Sequence, residues 1–447
     1  MKKLFGTDGV RGIAGVDLTA ELAYKIGLCA ANLFTGKNKK SRVLIGKDTR
    51  VSGDMLEAAI SAGLAAGGAD AVSIGVVPTP AVAFIVTKHS FDAGIMISAS
   101  HNTAEYNGIK IFGADGFKLT DDEELNIENH IENIGKIPLA SGGAVGRIYS
   151  EPSLIEGYID QLKGLIPETA LRPLRIIIDC ANGSAAATAD KIFISNQNLT
   201  YDFINREPDG LNINEGCGST HMDGLRKKVI AGGYDTGIAF DGDADRCLML
   251  DEKGGDIEGD HIIAMLADDM KKRGALKKNT TVVTIMSNLG LHKFAGEKGI
   301  EIKQTDVGDR YVLEAMLEGG YNLGGENSGH IILTDYAATG DGQLTAVMML
   351  SLLAKNKELA SVLASKLQTI PQIIQNVRIT AEKRALIMSS PELATAIESV
   401  KSRLGRFERI NVRPSGTEPL IRVMVEGDDR DKIQAYALEI EKVITGL

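Results

Sequence analysis

Residues 174–184 read Leu-Arg-Ile-Ile-Ile-Asp-Cys-Ala-Asn-Gly-Ser, a short apolar run that ends in a polar loop containing glycine. The same order recurs at 42–50, which precedes a helix-like stretch at 54–66, and again at 281–290. Short runs that are apolar throughout, each followed by a helix, are typical of strands buried on both faces of a parallel sheet. The three units therefore predict three related α/β domains. In such sheets ligands bind beyond the carboxyl ends of the strands, which is where these polar loops lie.

The C-terminal part of the chain follows a different pattern. Residues 377–380 are predicted to form a strand and 391–404 a helix, two strands flank 413–419, and an amphipathic helix covers 429–444. This order predicts a small α+β domain. The predicted fold class is thus three related α/β domains with mixed, mostly parallel sheets, followed by a C-terminal α+β domain. We place the domains at 1–150, 151–252, 253–370 and 371–447.

Composition excludes several classes of protein. The chain has 447 residues, with Lys+Arg 49 against Asp+Glu 59, and a formal net charge of −10. It has no excess of basic charge to follow a phosphate backbone, which argues against a general nucleic-acid binder. A hydrophobic fraction of 44% with 24% charged residues is ordinary for a folded protein, so disorder is not the main state.

The expected compartment is the cytoplasm. Four cysteines are scattered without a C-x-x-C pair, which argues against a disulfide framework or a zinc site. The first five residues are followed by Gly-Thr-Asp, so no apolar core of a signal peptide forms. The longest uncharged apolar stretch, 71–87, is too short for a membrane span and contains two prolines.

Three carboxylates stand at alternate positions in residues 241–246, Asp-Gly-Asp-Ala-Asp-Arg, between two apolar runs. Carboxylates this close together repel one another unless a cation lies among them, and hard oxygen ligands suit Mg²⁺ or Ca²⁺. An EF-hand loop is one alternative, with Glu252 at its twelfth position. Arg246 stands where that motif needs glycine, however, and the flanks are strand-like. A solvated acidic turn is the other alternative, and a metal site is the better interpretation.

A buried strand at 94–97 ends abruptly in small polar residues at 98–103, Ser-Ala-Ser-His-Asn-Thr. Ser100 offers a hydroxyl at the carboxyl edge of the predicted sheet and can serve as a nucleophile, with His101 or Lys110 as proton carrier. A serine that caps a helix is an equally open alternative at this point. The sequence contains no G-x-S-x-G, complete P-loop or G-x-G-x-x-G motif.

A loop at 324–330, Gly-Gly-Glu-Asn-Ser-Gly-His, presents donor and acceptor groups between glycines. These groups belong to Glu326, Ser328 and His330. A glutamate can accept hydrogen bonds from two neighbouring sugar hydroxyls, which makes a carbohydrate a plausible ligand.

Two arginine-containing loops are suited to phosphate. Residues 413–419, Arg-Pro-Ser-Gly-Thr-Glu-Pro, with Arg422 close behind, combine hydroxyls, backbone N–H groups and a guanidinium fork. A plain hairpin turn is the alternative interpretation. Residues 5–12, Phe-Gly-Thr-Asp-Gly-Val-Arg-Gly, hold a further arginine, Arg11, among glycines.

Taken in chain order, these motifs resemble those of the α-D-phosphohexomutase superfamily. The resemblance runs almost end to end, from 5–12 to 413–419. Within the superfamily it is closest to the branch that acts on glucosamine phosphate. The stretches that carry this are 213–214 with 217–221, 307–312 and 339–342.

The resemblance implies four domains in a heart shape around a central cleft, each contributing one loop. It also implies interconversion of glucosamine 6-phosphate and glucosamine 1-phosphate through a phosphoserine enzyme and a 1,6-bisphosphate intermediate. That reaction feeds the synthesis of amino-sugar nucleotides and cell-wall precursors. The implied cofactors are one Mg²⁺, the phosphoserine itself and a sugar 1,6-bisphosphate as activator.

The resemblance also assigns roles to individual residues. Ser100 would carry the phosphoryl group and, with Asp241, Asp243 and Asp245, would hold the Mg²⁺. The other implied catalytic residues are His101, Lys110 and Arg11. The implied substrate-binding residues are Arg246, Glu326, Ser328, His330, Arg413, Ser415, Gly416, Thr417 and Arg422.

Two positions depart from the superfamily pattern. Thr103 stands where proline is usual, and losing the fixed φ of proline is expected to soften the loop after the nucleophile slightly. Asn327 stands where this branch commonly has glutamine, which weakens the inference about which sugar is preferred but not the reaction type.

Two alternative functions follow from the same residues. A phosphoglucomutase or phosphomannomutase shares every catalytic element, and a non-catalytic phosphosugar sensor is the alternative from a different class. The expected partner is a small-molecule phosphosugar, with no nucleic acid and no membrane. The sequence does not determine the oligomeric state, and a homodimer is one assembly that it allows.

Overall fold

The structure is a computed structural model that describes residues 4–6, 8–34, 40–166, 173–193, 199–405, 408–414 and 420–447, with the backbone alone at 381–382. Four β-sheets follow one another along these residues.

The first sheet is mixed and lies in the N-terminal third of the chain. Its strands are β1 (Phe5–Gly6), β2 (Gly9–Ile13), β3 (Arg42–Lys47), β4 (Asp70–Val76), β5 (Ala93–Ile97), β6 (Tyr106–Gly113) and β7 (Ile148–Ser150). Its helices are α1 (Ala20–Phe34), α2 (Ser52–Ala66), α3 (Thr79–Lys88) and α4 (Asp121–Glu132). The strand order is β1-β2-β6-β5-β3-β4-β7. Strands β5, β3, β4 and β7 are parallel, whereas β6, β2 and β1 add antiparallel pairs. The strand predicted within 42–50 and the helix predicted at 54–66 are confirmed by β3 and α2.

The second sheet carries the acidic turn. Its elements are α5 (Glu156–Gly164), β8 (Leu174–Asp179), α6 (Ala189–Phe193), β9 (Leu199–Ile204), α7 (Asp223–Gly232), β10 (Thr236–Phe240), β11 (Cys247–Asp251) and β12 (Asp256–Ile257). The order is β12-β11-β10-β8-β9, with β8 parallel to both β9 and β10. Strands β10 and β11 pair antiparallel from Phe240 opposite Cys247, so the turn between them is 241–246.

The third sheet is short and again mixed. Its region contains α8 (Gly259–Lys272), β13 (Thr280–Thr284), α9 (Leu289–Lys298), β14 (Glu301–Thr305), α10 (Asp309–Gly319), β15 (Gly324–Gly325), β16 (Ile331–Ile332), α11 (Gly342–Lys355) and α12 (Ala360–Ala364). Strand β13 is parallel to β14 and β15, and β15 turns back antiparallel into β16.

The fourth sheet is antiparallel throughout. Its region contains β17 (Gln372–Arg378), α13 (Ala381–Met388), α14 (Pro391–Lys401), β18 (Arg409–Pro414), β19 (Leu420–Glu426) and α15 (Arg430–Gly446). The order is β17-β19-β18. The strand predicted at 377–380 is β17, which begins earlier, at Gln372, and ends at Arg378. It ends before Thr380 because that residue caps α13 by accepting a hydrogen bond from Lys383 N. Helix α13 itself was not predicted.

The chain forms two compact units, Met1–Met286 with Ile300–Ser365, and Ser287–Gly299 with Lys366–Leu447. Helix α9 thus belongs with the fourth sheet, where Leu289 N donates to Glu426 Oε1 at 2.7 Å. The predicted fold class of α/β regions with mixed sheets and a C-terminal α+β region is confirmed. The domain boundaries remain predictions. Across the described residues, every helix is too short or too polar to cross a membrane.

Candidate active site

Ser100 lies just beyond the end of β5 and is buried, with 1% of its surface exposed. Its φ is 53°, a left-handed conformation that costs a residue with a side chain on the order of 1 kcal/mol. Ser100 Oγ donates to Asp241 Oδ2 at 2.7 Å and lies 3.3 Å from His101 Nδ1. No described helix begins here, so the helix-capping alternative is wrong.

Asp241, Asp243 and Asp245 occupy the turn between β10 and β11, are buried, and each offer an oxygen within 4.8 Å of the others. Burial, then the charges of Asp245 and Asp243, raises the pKa of Asp241 well above its usual value. Burial also acts to raise the pKa of Asp243, but the charge of Lys110 and a hydrogen bond from Thr79 hold it below its usual value. The pKa of Asp241 is raised and that of Asp243 is lowered, because Lys110 offsets the negative charge of Asp243 but not that of Asp241.

The acidic turn fits a divalent cation. Asp243 Oδ1 and Asp245 Oδ1 are buried and accept no hydrogen bond from the described protein. Buried carboxylate oxygens that lack donors suit an ion that prefers hard oxygen ligands, such as Mg²⁺. The turn lies between paired strands rather than helices, which excludes an EF-hand.

Gly242 lets the acidic turn approach Ser100 closely. A Cβ at this position would lie 2.6 Å from Ser100 O and 2.8 Å from Asn214 Nδ2, closer than real Cβ atoms come. The position between Asp241 and Asp243 therefore requires glycine for the acidic turn to lie this close to Ser100.

Lys110 projects from β6 into the acidic cluster and is 1% exposed. Its Nζ lies 2.9 Å from Asp243 Oδ2, 3.2 Å from Asp245 Oδ2 and 3.1 Å from Asp8 Oδ2. Burial opposes the charge of Lys110, but Asp243 and Asp8 more than compensate and raise its pKa well above the usual value. Lys110 is thus a fixed cation within the acidic turn that Ser100 contacts through Asp241.

Asp8 links three cations and was not predicted. It pairs with Lys110, Lys118 and Arg11, and Arg11 Nη1 also donates to Ala99 O at 3.4 Å. Burial acts to raise the pKa of Asp8, but Lys110 and then Lys118 hold it well below its usual value. The available sequence signal was an acid among glycines in the stretch 5–12.

Arg246 and His101 complete the polar surroundings of Ser100. Arg246 Nε lies 3.9 Å from Asp241 Oδ2 and from Asp245 Oδ1, and its side chain is 22% exposed. Burial, then the charge of Arg246, lowers the pKa of His101 to about 4. His101 is therefore neutral at pH 7.

The turn between β15 and β16 holds Glu326, Ser328 and His330. Glu326 N donates to His330 O at 3.0 Å, and Glu326 Oε1 accepts from Gly308 N at 3.2 Å. Cys247 N donates to Gly329 O at 3.0 Å, so this turn joins the end of the acidic turn directly. The structure thus brings the predicted sugar-binding residues next to the predicted metal-binding residues.

The predicted phosphate-binding residues lie on the fourth sheet. Arg413 of β18 stands directly opposite Arg422 of β19 in antiparallel register, so both side chains leave the same face. Ser415, Gly416 and Thr417 lie outside the described residues.

Four family models match this chain in order. They describe phosphoglucomutase/phosphomannomutase alpha/beta/alpha domain I at 2–137, domain II at 156–255, domain III at 258–370 and the C-terminal domain at 375–443. The chain is 48% identical over 446 residues to a phosphoglucosamine mutase of Caldicellulosiruptor saccharolyticus and 47% identical over 445 residues to one of Clostridium acetobutylicum. Each comparison covers 99% of both chains.

Solved structures agree on the fold. A phosphoglucomutase/phosphomannomutase family protein from Burkholderia thailandensis superposes with a TM-score of 0.81 at 21% identity, covering 100% of this chain and 98% of the other. An N-acetylphosphoglucosamine mutase from Aspergillus fumigatus, in complex with GlcNAc-6P and magnesium, gives a TM-score of 0.72 at 18% identity, with coverage of 99% and 95%.

The four-domain architecture is that of a phosphohexomutase, an enzyme that moves a phosphoryl group within a sugar phosphate. Relatives that share 47% to 48% of their residues with this chain over its full length identify the branch within this class of enzyme. The chain belongs to the phosphoglucosamine mutase family.

Proposed function

We propose that this enzyme interconverts glucosamine 6-phosphate and glucosamine 1-phosphate, with Ser100 carrying the phosphoryl group between them. The observation that carries the proposal is the buried 2.7 Å contact of Ser100 Oγ with Asp241 Oδ2, in an acidic turn whose other two carboxylates pair with Lys110. Phosphoryl transfer needs chiefly positioning and charge neutralisation, and a hydroxyl held between fixed anions and cations supplies both. The names of the relatives supply the sugar.

The proposed cycle begins with phosphorylated Ser100 and glucosamine 6-phosphate. The P–Oγ bond breaks, a P–O bond forms at O1, and the O1 proton leaves. The 1,6-bisphosphate then turns over. Its P–O bond at O6 breaks, a P–Oγ bond forms again, and O6 takes a proton. Glucosamine 1-phosphate leaves, and the phosphoserine is restored.

The residues around Ser100 have separate tasks in this cycle. Lys110, Arg11 and Arg246 stabilise the negative charge of the phosphoryl oxygens. His101, whose Nδ1 lies 3.3 Å from Ser100 Oγ, carries a proton to or from the reacting oxygen. A Mg²⁺ held by Ser100, Asp241, Asp243 and Asp245 would neutralise further charge on the phosphoryl group.

Substrate recognition is assigned to two further loops. Glu326, Ser328 and His330 bind sugar hydroxyls, an assignment supported by the buried Ser328 Oγ and His330 ring nitrogens that lack a hydrogen-bond partner among the described residues. Arg413, Ser415, Gly416, Thr417 and Arg422 bind the phosphate that is not being transferred.

The remaining assignments concern the setting of the enzyme. We assign it one Mg²⁺, a sugar 1,6-bisphosphate as activator, no nucleic-acid or membrane partner, and domains at 1–150, 151–252, 253–370 and 371–447. Four buried, free cysteines support a reducing cytoplasm. A role in supplying amino-sugar nucleotides and cell-wall precursors follows from the proposed product.

The test is ³¹P NMR of the purified protein, primed with a sugar 1,6-bisphosphate and Mg²⁺ and given glucosamine 6-phosphate or glucose 6-phosphate. Fast formation of glucosamine 1-phosphate, with glucose far slower, is the expected result. Comparable rates, or glucose ahead, would replace the proposal with a phosphoglucomutase. No product from either sugar, with Ser100 phosphorylated, would leave a phosphosugar sensor.

A further inference from the structure

We propose that Arg50 and Asn214 are positioning residues that hold Ser100 in the geometry required for phosphoryl transfer. This inference rests on the proposed function and deepens it. It concerns two side chains that act through the backbone of residues 98–103, here termed the Ser100 loop.

Arg50 binds the Ser100 loop through its backbone carbonyls. Its side chain is fully buried, and Nη2 donates to Ser100 O at 3.0 Å and to Asn102 O at 2.8 Å. Nη1 donates to Tyr106 O at 2.9 Å and also to Thr103 O. One planar guanidinium therefore fixes four carbonyls, that of the nucleophile itself and three that follow it in the chain, which a flexible ammonium group cannot reproduce.

The amide of Ser100 is fixed by a second chain of contacts that begins at the same arginine. Arg50 Nε donates to Asp48 Oδ2 at 2.8 Å, and Ser98 Oγ donates to the same oxygen at 2.7 Å. Ser100 N in turn donates to Ser98 Oγ at 2.9 Å. The carbonyl and the N–H of Ser100 are both held, and the charge of Arg50 is balanced by buried Asp48.

Asn214 reaches the same carbonyls from the second sheet region. Its Nδ2 donates to Ser100 O at 2.9 Å and to Asn102 O at 2.8 Å, and the residue is 2% exposed. Its own backbone is left-handed, with a φ of 58°, and its N–H donates to Ala181 O at 2.9 Å. Asn214 belongs to the stretch 213–214, one of those on which the resemblance to the glucosamine phosphate branch rests, and it thus acts as a positioning residue for Ser100.

The strained backbone of Ser100 makes this support necessary for catalysis rather than for folding alone. A left-handed serine relaxes toward ordinary φ values when its backbone partners are removed. That relaxation moves Oγ relative to Asp241 and Lys110, and a misplacement of about 1 Å can cost on the order of 100-fold in rate.

The main test variant is Asn214→Gly, because glycine adopts a φ of 58° without strain while the side chain that donates to the Ser100 loop is removed. Arg50→Lys is the second variant, which keeps a cation for Asp48 but loses the planar fork. The matched control is Asn212→Ala, two residues away. The side chain of Asn212 donates to Glu207 O at 3.0 Å, and none of its described contacts reaches the Ser100 loop.

Turnover of glucosamine 6-phosphate is measured with Mg²⁺ and a sugar 1,6-bisphosphate, and phosphorylation of Ser100 is followed by mass spectrometry. We expect Asn214→Gly to lower kcat by about 10- to 100-fold, with KM within about twofold of wild type. Arg50→Lys is expected to lower kcat at least as much. The ³¹P resonance of phosphorylated Ser100 shifts or broadens in both variants, and Asn212→Ala matches wild type throughout.

The outcomes of this test are distinguishable. A kcat for Asn214→Gly within about twofold of wild type overturns the inference, as does a loss of kcat that only follows the loss of folded protein in a melting curve. If Arg50→Lys does not fold, Asn214→Gly decides the question alone. Absence of turnover in phosphorylated wild type contradicts the proposed function instead.

Discussion

Lys118 Nζ lies 2.5 Å from Asp309 Oδ2, so a lysine that follows β6 pairs with the first residue of α10. Lys118 also pairs with Asp8, which contacts Lys110, while His330 Nε2 lies 3.6 Å from Asp309 Oδ2. Alternating charges therefore connect the cation beside Ser100 with the turn assigned to sugar binding.

Replacing Lys118 with methionine should destabilise the protein. The substitution leaves Asp8 and Asp309 largely buried with one cation fewer, and removing one member of such a group costs about 3 kcal/mol. Urea denaturation measures the free energy of unfolding. The double variant with Asp309→Asn should recover part of the loss. A cost below about 1 kcal/mol would mean that the pair behaves like an exposed salt bridge.

Ser100→Ala should abolish turnover while sugar-phosphate binding remains measurable. The variant lacks the oxygen that carries the phosphoryl group but keeps the cations and the hydroxyl-binding turn around it. ³¹P NMR measures turnover, and isothermal titration calorimetry measures binding. Substantial turnover by the variant would be incompatible with a phosphoserine at this position.

Magnesium should stabilise the folded protein through the acidic turn. An ion that binds only the folded state raises its stability by about 2.7 kcal/mol at 100 times Kd. Melting curves with Mg²⁺ and with EDTA measure the shift. Asp243→Asn should lose it, whereas Asp223→Asn, whose side chain is 94% exposed, should keep it. Equal shifts in both variants would place the ion elsewhere.

The stability of the protein should fall with rising pH because of Asp341. This buried carboxylate caps α11 and accepts a hydrogen bond from Tyr158 OH at 3.0 Å, and burial, with a smaller effect of Asp245, raises its pKa from 3.8 to about 7. A raised pKa favours the folded state below pH 3.8, and this contribution is lost as the pH rises through 7.

Urea denaturation between pH 5 and pH 8 tests this expectation. The contribution of Asp341 to the slope approaches about 1.4 kcal/mol per pH unit below its folded pKa, and Asp341→Asn should remove it. Parallel curves for wild type and variant would show that Asp341 does not titrate in this range.

Gly242→Ala should lower kcat strongly with little change in circular dichroism. Its Cβ would lie 2.6 Å from Ser100 O, so either the acidic turn or the nucleophile has to move. Steady-state kinetics measures the effect, and Gly135→Ala, with nothing within 4 Å of its Cβ, is the control. Unchanged kcat in Gly242→Ala would show that the two loops adjust freely.

The sequence alone predicts the position of a site residue when that position depends only on neighbouring residues in the chain. The acids at 241–245 were predicted between two strands and Ser100 at the end of another, and both placements are confirmed because apolar runs ending in polar residues mark strand ends. Arg50 was not predicted as part of the site, since its partner Ser100 is 50 positions away and nothing nearby in sequence reveals it.

Long-range contacts also change the expectation for Thr103. The missing proline was expected to soften the loop, yet the carbonyl of Thr103 accepts a hydrogen bond from Arg50. Arg50, which is 53 positions away in the chain, thus restrains the backbone at a position where the superfamily usually has proline.

The division of the chain into two compact units affects the outcome of limited proteolysis. The chain passes between the units at 286–287, 299–300 and 365–366. A protease cut at 365–366 separates 366–447 covalently, but residues 287–299 stay in the larger fragment. Leu289 N still meets Glu426 Oε1, and Asn288 Nδ2 still donates to Ile370 O at 2.9 Å. The two fragments of a chain cleaved at 365–366 should therefore elute together in size-exclusion chromatography until denaturant is added. Residues 366–447 produced alone would lack α9, which belongs to the same compact unit.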